Sequence, residues 1–182
     1  MTTKPRLHEF RARLAASMRR SAWTSAYQRY IPSSDIERCT SEEWLREIIQ
    51  EDRSIEQKEE FLDYVLREAR ILFAMFAYYK LPIGLLQSVG YTDDKLPIPI
   101  TDSPPTIERE EIHIDFVELI NVGQWMFLAP KFSSTGSHQE LNPNKILPFR
   151  SMEQVGAGTF GTVYKVEIEP SHLNNVSTRK DI

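Results

Sequence analysis

The stretch from Phe61 to Phe76 limits the fold more than any other part of the chain. Phe61, Leu62, Val65, Leu66, Ala69, Leu72, Phe73 and Phe76 recur at helical spacing and form a broad apolar stripe. Ser54-Ile55-Glu56-Gln57 has the capping-box form and opens this helix, and Pro82 closes it, which predicts a central core helix. A second box, Thr40-Ser41-Glu42-Glu43, precedes Trp44, Leu45, Ile48 and Ile49 at the same spacing and predicts a helix over about 41–52. A short helical stretch after Pro82 is expected to end at Gly90.

A core of this kind suits a chain of 182 residues, 41% hydrophobic and 26% charged, which has room for one domain or a small domain plus a piece of another. Its longest apolar run, Ile71 to Tyr79, is about half of the roughly 20 residues that cross a bilayer, so no transmembrane segment is expected. The single cysteine, Cys39, forms no internal disulfide and fits a reducing, cytoplasmic setting. Asn175-Val176-Ser177 matches a glycosylation sequon, but no secretory signal precedes it.

The net charge of -4 is unevenly spread. Lys4, Arg6, Arg11, Arg13, Arg19, Arg20 and Arg29 face only Glu9 within residues 1–30, a local charge of +6 that leaves -10 for the remainder. Residues 1–30 read as a basic amphipathic helix from about Pro5 to Tyr30, with Leu7, Phe10, Leu14 and Met18 on one face and Arg6, Arg13 and Arg20 opposite. Three roles suit it: docking on the acidic helical region 31–90 of its own chain, mitochondrial import as an Arg-rich transit peptide, or contact with an anionic surface. The first is favoured, and nucleic acid is not expected because no nucleic-acid module or dense basic run accompanies the helix.

The carboxylates of the middle region alternate with Arg46, Arg53, Lys58, Arg67 and Arg70, which describes a solvated helix face. His8, His113, His138 and His172 have no ligand spacing, so neither a catalytic residue nor a metal ligand is expected. Trp23, Trp44 and Trp125 read as core anchors. Residues 91–147 read as a linker and irregular segment, with a short strand near 124–132.

The last part, 148–182, contains VGAGTFGTVYKVEI, with glycines in the spacing G-x-G-x-x-G at Gly156, Gly158 and Gly161. In a dinucleotide-binding fold the third glycine opens a helix, whereas Tyr164, Val166 and Ile168 alternate here with Lys165, Glu167 and Glu169 and specify a strand. The Walker form is excluded because no Gly-Lys-Ser/Thr follows. The glycines therefore join two antiparallel strands, and the overall expectation is a mostly α protein followed by a β-hairpin, α+β in class.

Val155-Gly156-x-Gly158-x-Phe160-Gly161-x-Val163-Tyr164 resembles the first two strands of the eukaryotic protein kinase domain. QWMFLAP, ILPF and EIEPSH are more loosely similar to fungal protein kinases with a helical N-terminal extension. The resemblance implies ATP with Mg2+ as cofactor and a protein substrate for a Ser/Thr-type kinase. It also implies phosphate contact by Gly156, Gly158 and Gly161, adenine contact by Val155 and Val163, and a cap over the phosphates from Phe160. Ala157, Thr159 and Thr162 would contribute mainly backbone.

The third-strand lysine, its glutamate partner, the catalytic base and the magnesium ligands of that family have no counterpart in these 182 residues; Lys165 falls inside the second strand. The expectation is thus the N-terminal piece of a kinase, a truncated N-lobe that is inactive as it stands. The alternative is a helical interaction module with a relic kinase hairpin.

Overall fold

The computed structural model describes residues 6–23, 28–99, 116–119, 121–133 and 139–174, and its architecture is mixed α+β. Six helices come first: α1 (Arg6–Ser17), α2 (Ser33–Cys39), α3 (Glu42–Glu51), α4 (Lys58–Glu68), α5 (Arg70–Tyr78) and α6 (Leu85–Val89). Residues 116–119 are also helical. The strands form three two-stranded sheets. β1 (Arg19–Arg20) pairs antiparallel with β2 (Arg29–Tyr30), and β3 (Phe132–Ser133) pairs parallel with β6 (Leu173–Asn174). β4 (Phe149–Gly158) pairs antiparallel with β5 (Gly161–Ile168).

The expected core helix is divided in two. Its apolar stripe is buried, with Phe61, Val65, Ala69, Leu72, Phe73 and Phe76 at 0% exposure, but the chain breaks at Ala69 (φ -142, ψ 31) between α4 and α5. The reason lies further down the chain, where the Asp93 carboxylate accepts the N–H groups of Ile71 at 2.9 Å and Leu72 at 3.0 Å. These are first-turn donors that an uninterrupted helix would have given to its own carbonyls. At the other end of α5, Arg11 Nε donates to the carbonyl of Ala77 at 2.5 Å, and Lys80 (φ 59) takes the left-handed turn that lets Leu81 N–H reach Phe76 O. A negative group at the N-terminus and a positive group at the C-terminus both match the helix dipole.

Neither capping box forms. Thr40 Oγ1 donates to Ile36 O at the end of α2, and Ser41 precedes α3 without a side-chain cap. Ser54 is held by Asp52, and α4 begins only at Lys58. The amphipathic patterns place α3 and α4 correctly all the same, because burial of Leu45, Ile48, Ile49 and Phe61 supplies far more than a cap does. α6 stops at the left-handed Gly90 (φ 63), as expected.

The basic helix is shorter than the sequence suggests. It ends at Ser17, whose hydroxyl turns back to Arg13 O, and the chain then runs extended, with Ser21 Oγ donating to Leu147 O and Ala22 N–H to Phe149 O. Phe10 and Leu14 are buried, Phe10 edge-on to Phe73 at 5.6 Å. Arg6 and Arg13 do not face water alone: both lie over the Trp44 ring on α3, at 5.3 and 4.0 Å, and Arg6 pairs with Glu47 at 2.7 Å. The helix is thus seated on the acidic region through one apolar and one cationic edge. Of the two other tryptophans, Trp125 is buried with Tyr30 and Ile146, whereas Trp23 is 49% exposed and packs edge-on to Phe149 and Tyr164 rather than in the helical core.

The segment read as a linker also builds core. Ile98, Phe116, Leu119 and Phe127 all join the main cluster. Gln124, fully buried, accepts from Ile98 N–H and donates to Ile98 O, so one amide side chain holds the extended segment as a neighbouring strand would. The strand expected near 124–132 is instead a 3-10 turn, Gly123–Met126, followed only by the two-residue β3. Gly123 is required there, since a Cβ would lie 2.3 Å from the Tyr79 ring. Among the described residues no helix is long and apolar enough to cross a membrane.

Two substitutions test this account. Asp93→Ala leaves two half-buried helix N–H groups without their acceptor and should cost about 1–3 kcal/mol, with Asp93→Asn milder because it keeps an oxygen; urea denaturation measures both. Gly123→Ala should cost a comparable amount of stability, about 1–3 kcal/mol, because the half-buried Tyr79 ring must shift from its place against the core to admit the methyl.

Candidate functional site

The glycine-rich segment forms the antiparallel hairpin that its alternation predicts. Gly158 opposes Gly161, so Thr159 and Phe160 form a two-residue turn, and Ala157↔Thr162 and Gly156↔Val163 follow down the strands. Register shifts at Arg150 and Val155 mark bulges in β4. Gly156 shares the face of its partner Val163 and Gln154 that of Tyr164, while Val155 is the unpaired residue of the bulge between them.

The tip of this hairpin is bare. Phe160 is completely exposed, and Val155 and Val163 are 57% and 62% exposed. A Cβ at Gly158 or Gly161 would meet nothing within 4 Å, so packing does not dictate glycine at either position. Gly161 does need it for backbone reasons, with φ +154. Glycine at Gly158 leaves open backbone that another molecule can approach.

The root is the opposite. Phe149, at the base of β4, packs between Trp23 at 5.9 Å and Phe132 at 5.9 Å, and Glu169 N–H closes the base onto Pro148 O at 2.8 Å. Beyond β5, Pro170–His172 turns the chain into the core side of the molecule. His172 is buried; its Nε2 accepts from Ser33 N–H at 3.1 Å, and its Nδ1 lies 3.0 Å from Pro130 O. The carbonyl can only accept, so Nδ1 carries the proton and the ring is neutral. Ser33 Oγ donates to Ser171 O at 2.8 Å, adding a second tie to the N-terminus of α2. The Tyr30 ring stands edge-on to His172 at 5.9 Å, and burial, followed by the charge of Glu169, pushes its phenol up to about 12.

His172 is the residue that sequence reasoning did not single out. A lone histidine in EIEPSH gives no ligand spacing, and its role depends on Ser33 and Pro130, which are remote in sequence. Of the expected nucleotide-loop residues, the hairpin brings Val155, Gly156, Gly158, Phe160, Gly161 and Val163 together at one end. It adds Ala157, Thr159 and Thr162 as exposed positions around the turn. Asn175-Val176-Ser177, His113 and His138 lie outside the described residues. Among the described residues no three His, Cys, Asp or Glu side chains converge as a metal set.

No protein-family model matches this chain, and neither a curated protein nor a solved structure matches it significantly.

The root's electrostatics give a pH dependence. Burial, and then the charge of Lys131, pull the His172 pKa below 6.5, while the bonds to backbone carbonyls oppose this. A base with a depressed folded pKa contributes stability that is complete above the unfolded value and is lost as pH falls through the window below it. The urea midpoint should therefore drop between about pH 6.5 and the lower folded value, and His172→Asn, less stable at neutral pH, should show a shallower drop.

Proposed function

We propose that the β4–β5 hairpin is the phosphate-covering strand pair of a protein-kinase ATP site, and that this chain belongs to an ATP-dependent protein kinase of the Ser/Thr type acting on a protein substrate. What supports the reading is a single arrangement: a strand, a two-residue turn and a strand, with glycines at open positions and Val155, Phe160 and Val163 bare beside them. Backbone free of Cβ atoms can lie close to phosphate oxygens. The residues present fit only that covering part of the site. Gly156, Gly158 and Gly161 would lie over the phosphates of Mg-ATP, whose γ-phosphoryl group is what a kinase transfers. The lysine, the base and the metal ligands are not among these 182 residues.

A second reading, a helical interaction module carrying a relic hairpin, draws on a different observation. The main hydrophobic cluster is assembled from α1 to α6, Ile98, Phe116, Leu119 and Phe127 without any hairpin residue. A core closed in this way could act as a binding unit by itself.

The adjoining coding sequence separates the two, since both expect this chain alone to lack tight nucleotide binding. Calorimetry of this chain with Mg-ATP should show no micromolar binding. The coding sequence adjoining residue 182 should encode an apolar segment ending in Ala-x-Lys and then a helix with the pairing glutamate. In that longer protein, Gly158→Val should weaken ATP binding by about tenfold or more, since the new side chain projects where the phosphates approach. Adjoining sequence without such a lysine would sink the kinase reading and leave the interaction module.

A further inference from the structure

A cavity of about 380 Å³ lies between α2, the start of α5, the 127–131 segment and the turn that carries His172. Its walls are mainly apolar, from Ile36, Ile71, Leu96, Pro97 and Phe127. That volume and character suit a small molecule rather than water alone. It is independent of the bare hairpin tip.

The polar groups around this cavity are unequally committed. His172 spends both ring nitrogens on Ser33 and Pro130, Thr40 Oγ1 is given to Ile36 O, and Asp93 is given to the N-terminus of α5. What is left is cationic. Arg70 donates Nε to Leu66 O and Nη1 to Thr40 O and has no carboxylate partner among the described residues, which leaves Nη2. Lys131 and Lys145, also lining the cavity, pair with no carboxylate among the described residues. Glu37 is the one lining carboxylate not engaged by a helix terminus, and it is exposed at the edge.

We propose that this cavity binds a small apolar molecule bearing one anionic head group, the body lying against Ile36, Ile71 and Phe127 and the head group held by Arg70, Lys131 and Lys145. An apolar wall alone would accept a neutral body equally well. Three cations of separate origin at one cavity select the anion, because a charge-assisted hydrogen bond from the guanidinium or an ammonium is stronger than a neutral one. Such a ligand touches α2, α5 and the His172 turn together, so it braces the hairpin root against the helical core.

Octanoate is the probe, with 1-octanol and octylammonium as its neutral and cationic counterparts, each titrated into the full chain by calorimetry and followed by thermal unfolding. Octanoate is expected to bind with one-to-one stoichiometry and raise the unfolding temperature, with octanol about tenfold weaker and octylammonium weaker still. Lys131→Gln combined with Lys145→Gln, both outside the core, should weaken octanoate by about tenfold while leaving octanol unchanged. Absence of octanoate binding at millimolar concentration overturns the proposal. So does octanol binding as tightly as octanoate, or octanoate affinity that survives the double lysine substitution.

Discussion

Everything in the helical part depends on α5 being buried from every side. Leu72, Phe73, Ala74, Met75, Phe76 and Ala77 are consecutive and all at 0% exposure, so the middle of this helix shows no face to water and only Arg70, Ile71 and Tyr78 at its ends are partly exposed. A helix in that position cannot satisfy its terminal N–H and C=O groups with solvent and must take partners from the protein. Asp93 and Arg11 are those partners. Each belongs to an element distant in sequence, so the same contacts that satisfy α5 also fix where α1 and the 91–99 segment run. Burial raises the Asp93 carboxyl pKa, and the Ile71 and Leu72 N–H groups oppose that rise. The charge is tolerated because it sits on a helix N-terminus.

The hairpin is attached to this core by its ends and by little else. Phe149 at one strand's base and His172 just past the other form a clamp, while most of the residues between them are exposed on both faces. A two-stranded sheet by itself is at best marginal in water, and what holds this one is the clamp together with Trp23 against Tyr164. Order therefore decreases in support from root to tip. The root can be read as structure, and the tip has the composition of a surface that expects a further layer.

The parts legible in the sequence were those set by local periodicity. The stripe Phe61 to Phe76, the start of α3 near Glu42, the stop at Gly90 and the strand–glycine turn–strand of 149–168 each follow from spacing within one segment. What was missed depends on partners elsewhere in the chain. The break at Ala69 needs Asp93, the early end of α1 needs Leu147 and Phe149 to draw Ser21 and Ala22 into extended backbone, and the capping boxes lose to competing acceptors at Ile36 and Asp52. Gly123 carries no local turn signal; only the Tyr79 ring explains it. For the candidate site the same division holds. The loop residues could be listed from sequence, whereas the histidine that holds the root could not.

The bare tip is the feature with the clearest energetic direction. Leaving a valine or phenylalanine side chain in water rather than burying it forgoes about 1.5–3 kcal/mol each, and the hairpin does this at Val155, Phe160 and Val163 together. Nothing in the strand pairing demands it, because Lys165 and Glu167 show that the same strand accommodates charged side chains without loss of register. Polar residues at the three positions would make an equally good hairpin and a more soluble one. The apolar side chains are therefore better explained by a molecule or a further layer that covers them than by the fold of the hairpin itself. The exposed Val163 stands directly across the strand pair from Gly156, so an apolar side chain and glycine backbone lie side by side near the tip.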